Sequence, residues 1–183
     1  MKSSTQSNPR RKSVLTVREI AVFAMLGALM YASKAALDAL PNIHLVGMFV
    51  MVVTVVYRVK ALFPIYIYVI LCGLFGVGGF GVWWVSQVYI WLPLWAVTLA
   101  LPREMKKGRA MVVYPLVCGL FGLAYGTLYA PGQALMLGFD FKQTIAWIAA
   151  GLPFDVIHAV SNVAVGLLVL PVSKVVMKLE KSR

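Results

Sequence analysis

The last long apolar stretch of the chain holds Asp155, His158 and Asn162, at i, i+3 and i+7, which places all three on one helix face. Ionisable groups at membrane depth are costly, so the few that occur there are informative. A carboxylate beside an imidazole fixes its tautomer and gives a directional donor, suited to gripping a polar solute. The alternative is a structural polar cluster that hydrogen-bonds neighbouring helices. Asp155 is expected in the first turn of its helix, where the dipole favours a carboxylate. A second constellation is Trp84, Gln87, Trp91 and Trp95, which follow helical spacing down one face. An aromatic wall around a polar group is how pockets hold large, flat organic solutes. Tryptophan at a boundary is also an interfacial belt, so Trp84 reads either way and Trp95 reads as packing. Asn42 and His44, in the first connection, either cap the next helix or face a solute. Lys34 and Asp38 form an i, i+4 pair that either snorkels to headgroups or contacts a ligand.

Other chemistries find little support. There is no Gly-x-x-x-x-Gly-Lys-Ser/Thr loop, so the chain has no ATPase motif of that type. No Ser/His/Asp or Cys/His set suggests hydrolysis, and Glu19 and Glu104 read as solvated. The chain therefore reads as a non-enzyme without a cofactor of its own. His44, His158 and Asp155 are too few for a metal cage. Cys72 and Cys118 lie within apolar runs and read as buried thiols.

The elements that position these residues are set by composition. Of the 183 residues 61% are hydrophobic and only 13% charged, with mean hydropathy +0.86. A soluble chain so poor in charge would expose large apolar patches. A span across the ~30 Å hydrocarbon core takes about 20 residues, so six spans leave only short connections and no second domain. Apolar runs fall at 17–37, 44–57, 61–80, 82–101, 110–130 and 152–172. The second is short for a span, which calls for help from flanking residues or packing inside protein. The stretch 132–151 is expected to form an outer loop with a short helix over 141–150, ended by Gly151. Pro153 would then open the last span.

Charge sets the orientation. Fifteen of the 17 Lys and Arg residues fall in the tails and in the second and fourth connections, all on one side of a six-helix serpentine. These are Lys2, Arg10, Arg11, Lys12 and Arg18; Arg58 and Lys60; Arg103, Lys106, Lys107 and Arg109; and Lys174, Lys178, Lys181 and Arg183. The connections at Pro41–Asn42 and Gly78–Gly81 carry none. The positive-inside rule puts both termini in the cytoplasm of a multi-pass plasma-membrane protein. The parcelling of charge between apolar runs also argues against nucleic-acid binding, despite the net charge of +11. The organisation expected is a basic tail at 1–13, a six-helix membrane domain at 14–177 and a basic tail at 178–183. The run from Val17 is too long for a signal core and reads as a retained first helix.

Two packing patterns complete the reading. Cys72-Gly-Leu-Phe-Gly76 recurs as Cys118-Gly-Leu-Phe-Gly122, either as a parallel repeat of helix pairs or as small residues favouring close packing. In the first run, Ala24/Ala28 and Ala28/Ala32 make small-x-x-x-small rows that let another helix approach.

Together, the six runs, the basic side, the alanine ridge and the missing ATPase motif resemble the substrate-binding S component of energy-coupling factor (ECF) vitamin transporters. The likeness extends over nearly the whole chain from Val14. It implies a partner assembly of one transmembrane coupling subunit and two cytoplasmic ATPases, with Ala24, Ala28 and Ala32 as docking residues. Gly151-Leu-Pro-Phe-Asp-Val-Ile-His-Ala-Val-Ser-Asn162, with Tyr89-Ile-Trp91, is similar to the subgroup linked to cobalamin uptake. The substrate-binding set implied is Asn42, His44, Trp84, Gln87, Trp91, Asp155, His158 and Asn162, with cobalamin as transported ligand. Another vitamin or precursor (a queuosine precursor, pantothenate or a pyrimidine) is the nearest alternative. A stand-alone proton-coupled carrier relaying through Asp155 and His158, or a membrane assembly factor without ligand, are readings of other classes.

Overall fold

A computed structural model describes residues 15–40 and 42–182. Lys2, Arg10, Arg11, Lys12, Pro41 and Arg183 lie outside the described residues. Every element among them is helical: α1 (Val17–Ala36), α2 (Val46–Tyr57), α3 (Leu62–Phe75), α4 (Val82–Ala100), α5 (Lys107–Leu137), α6 (Phe141–Gly166) and α7 (Val169–Lys181). Among the described residues five helical segments are long and apolar enough to cross a membrane, the architecture of an all-α membrane protein.

Helix α1 starts at a capping box, with Thr16 and Glu19 satisfying each other's backbone N–H groups. Its buried face is Phe23, Gly27 and Met30, and it lies along α3. Phe23 stacks on Phe63 at 6.0 Å, Gly27 meets Ile67, and Tyr31 sits 6.1 Å from Phe75. Because the pairs ascend together, α1 and α3 run in the same direction. The alanines point the other way: Ala24, Ala28 and Ala32 are exposed, so the ridge is not used for packing within the chain.

The short second run is a core helix. Ten of the twelve residues of α2 are buried, as expected for a helix apolar all round. At its end Arg58 takes a left-handed φ of 57°, and a 3-10 turn at Arg58–Ala61 leads into α3. The chain folds back there. Arg58 donates to the carbonyls of Leu99 and Leu101 at the end of α4, and Lys60 reaches Glu19 at the start of α1 at 2.6 Å. Thus Val46–Phe75, continuous in hydropathy, is two arms and not one straight rod. Glu19, expected to be solvated, is engaged by Lys60 and by its own cap.

The expected outer loop at 132–151 is corrected. Helix α5 continues to Leu137 and is ended by Gly138, whose φ of 69° suits a residue without Cβ. Asp140 and Gln143 then form a second capping box, and α6 runs unbroken through Gly151 and Pro153. The cap decides the start. Pro153 costs one backbone bond on an exposed face, which the rest of a 26-residue helix tolerates. The sixth apolar run also divides, because α6 stops at Gly166 and α7 restarts at Val169 and continues to Lys181.

The most extensive helix contact is α5 on α6, where Gly119, Gly122 and Gly126 face the other helix. The two Cys-Gly-Leu-Phe-Gly copies do different work. The first closes α3 at Gly76, with Gly73 under the Phe80 ring; the second lies mid-helix against α6. Close packing of a glycine is common to both, Gly73 against Phe80 and Gly119 and Gly122 against α6. Both cysteines are free thiols.

A Cβ at Gly119 would lie 2.5 Å from Val163 Cγ2, whereas one at Gly108 meets open space. Gly119→Val is therefore expected to cost about 1–3 kcal/mol from overpacking. Thermal denaturation in detergent should show a lowered midpoint for that variant and little change for Gly108→Val.

Candidate functional site

Six of the eight expected site residues converge in the half of the bundle away from the basic connections. His44 enters from the connection before α2, Gln87 and Trp91 from α4, and Asp155, His158 and Asn162 from α6. The imidazoles of His44 and His158 stand edge to face with centroids 4.6 Å apart, and Trp91 lies 6.2 Å from His44. Trp91 Nε1–H donates to Gln87 Oε1 at 3.0 Å, and Gln87 Nε2–H donates to the Tyr125 hydroxyl at 3.2 Å. Tyr125 in turn packs against His158 at 4.7 Å. An aromatic and amide chain therefore encloses the two imidazoles.

Asp155 is not in a first turn. It lies deep in α6, so the dipole of that terminus does not reach it. What it has instead is the backbone N–H of Gly126, which donates to Oδ1 at 3.0 Å. That bond needs glycine at 126, since a Cβ there would strike the carboxylate. The other oxygen of Asp155 has no partner among the described residues. Neither do Nδ1 of His44, both ring nitrogens of His158, nor either end of the Asn162 amide. Asn162 is 0% exposed and His158 1%. Buried polar groups are ordinarily paired, so a local group of orphans needs a cause.

Trp84 and Asn42 stand apart from this cluster. Trp84 donates its indole N–H to the Val69 carbonyl at 2.8 Å and packs edge-on to Phe80. It lines a cavity of about 350 Å³ that also touches Lys34, Asp38, Cys72, Gln87 and Tyr129. Gln87 thus faces both that cavity and Trp91. Lys34 and Asp38 pair at 2.6 Å on its rim. Asn42 holds a left-handed φ of 60° in the connection and makes no side-chain hydrogen bond among the described residues. Trp95 packs, with its N–H 3.4 Å from the Arg58 carbonyl.

The row Phe121, Tyr125, Tyr129 and Gln133 on α5 was not among the expected site residues, though its i+4 spacing in the sequence marks one stripe. Tyr125 and Tyr129 stack at 5.5 Å, and Gln133 reaches the Ser86 hydroxyl and the Val82 carbonyl. Tyr68, fully buried, completes the wall at 5.8 Å from Trp91.

The chain matches no protein-family model, no curated protein and no solved structure. The site offers donors and acceptors of both kinds, aromatic faces and no cluster of three or more metal-ligating side chains among the described residues. Its donors and acceptors can hydrogen-bond a polar solute.

His44 lies outside the spans, and burial, followed by the neighbouring His158 and Lys34, holds it well below the ordinary imidazole range, at about 3. The folded protein keeps it neutral where an unfolded chain would protonate it, so its contribution is complete above pH ~6.5 and is lost as the pH falls towards 3. The midpoint of thermal unfolding should drop between pH 7 and pH 5, and by less in His44→Gln.

Proposed function

We propose that the chain is the solute-binding membrane subunit of an ECF-type importer that takes up a vitamin. The observation that carries this reading is the group of unpartnered polar atoms on His44, Asp155, His158 and Asn162, enclosed by Trp91, Tyr125 and Tyr68. A purely structural network would satisfy its own members, whereas a solute site leaves groups for its ligand.

In this reading α1 to α6 make six crossings, because the fold-back at Arg58 reverses the chain between α2 and α3. The basic end faces the cytoplasm. Its members meet there: Lys60 pairs with Glu19, Arg18 with Glu180 at 3.0 Å, and Arg58 with the end of α4. The exposed alanines of α1 present a smooth ridge to a coupling subunit, which two ATPases would drive. Cobalamin is the ligand the sequence resemblance implies. A cavity of about 350 Å³ shares Gln87 with the polar cluster, and a queuosine precursor, pantothenate or a pyrimidine is the alternative ligand.

Mass spectrometry of ligand released from the purified protein tests the reading directly. Recovery of a vitamin or precursor supports it and names the ligand. Recovery of none, with no stabilisation by a vitamin panel, contradicts it, as does uptake in proteoliposomes without a motor. Replacing Ala28 with Leu or Trp should lower uptake with the motor by about tenfold while solute affinity stays within about twofold. Uptake assays beside equilibrium binding separate these effects.

A further inference from the structure

The basic end holds a second cavity, of about 400 Å³, between α7, the end of α2 and the segment before α5. Arg103, Lys174, Lys178 and Lys181 line it, against the single acid Glu104. The three lysines fall at i, i+4 and i+7, one face of α7, and make no ion pair among the described residues. Glu180, the acid on their own helix, is already held by Arg18 and the Tyr57 hydroxyl. Arg103 donates one N–H to the Val56 carbonyl, which fixes its guanidinium beside the cavity.

A second observation points to a ligand. Ser173 also lines the cavity, is 1% exposed, and its hydroxyl has no hydrogen-bond partner among the described residues. Leu170, Met177 and Tyr114 add an apolar wall. Cations, a buried hydroxyl and an apolar wall at the end of the spans match a phosphodiester with hydrocarbon attached. Free phosphate would satisfy the cations and leave the apolar wall bare. Basic pockets between membrane helices are where anionic headgroups bind.

We propose that this cavity binds the headgroup of an anionic phospholipid. The occupant braces α7 against the ends of α2 and α5. The site is independent of the solute pocket, so the solute reading can fail without touching it.

Native mass spectrometry of the full chain from mixed phosphatidylglycerol and phosphatidylcholine micelles provides the test. The wild type should retain phosphatidylglycerol over phosphatidylcholine. Lys174→Gln/Lys178→Gln/Lys181→Gln should weaken retention by at least about tenfold, and the corresponding triple arginine variant should keep it. Ser173→Ala, which removes only the hydroxyl, should weaken it several-fold at an unchanged melting midpoint in phosphatidylcholine. Equal retention of the two lipids, an unaffected glutamine variant, or full displacement by millimolar inorganic phosphate would each overturn the proposal.

Discussion

Helix α6 can deliver polar side chains to the interior only because α5 lets it come close. Gly119, Gly122 and Gly126 lie against Val163, Ala159, Asn162 and Asp155, and a methyl group at any of them would meet the neighbouring helix. In lipid there is no hydrophobic drive between helices, so contact of this kind rests on close van der Waals packing. The same approach brings the Gly126 N–H onto Asp155 and so anchors the carboxylate without a side-chain partner. Everything inward of that seam follows from it, including the depth of Asn162 and the edge-to-face pair of His44 and His158.

Against this seam stands α2, a helix with scarcely any polar surface. Thr54 spends its hydroxyl on the Val50 carbonyl, so α2 itself brings no free polar group to the core. The polar chemistry enters from around it, through His44 at its head and through α4, α5 and α6. The consequence is a division of the molecule along its length. One end holds the ion pairs Lys60 with Glu19 and Arg18 with Glu180, while the unpartnered buried atoms of His44, Asp155, His158 and Asn162 gather in the site half. Orphaned groups of this kind destabilise a resting protein and are offset when a ligand supplies the missing bonds.

Much of this was readable from residue order. The i, i+3, i+7 spacing of Asp155, His158 and Asn162 set their common face, and the first five apolar runs fall on α1 to α5. The limits lie where local caps compete with hydropathy. Asp140 with Gln143 starts α6 early, and so Pro153 and Gly151, read as punctuation, sit inside a helix. The turn at Arg58–Ala61 falls where Arg58 and Lys60 separate the apolar runs 44–57 and 61–80, so charge marks it even though Val46–Phe75 passes as one stretch by mean hydropathy. Aromatic residues in apolar runs are usually packing, and only the fold shows Tyr125 facing Gln87 and His158 with Tyr129 stacked on it. The inward orientation of Phe23, Gly27 and Met30, which leaves Ala24 and Ala28 outside, depends on α3 lying alongside.

If the buried polar group is kept for a solute and not for the fold, removing one of its members should not weaken the fold. Asn162→Leu decides it, because the substitution removes both unpartnered amide atoms at similar volume. Thermal stability of the ligand-free protein and binding of the co-purifying ligand should be measured on the same preparation. A group kept for a solute gives an unchanged or raised melting midpoint together with loss of binding. A lowered midpoint with binding intact would contradict that role.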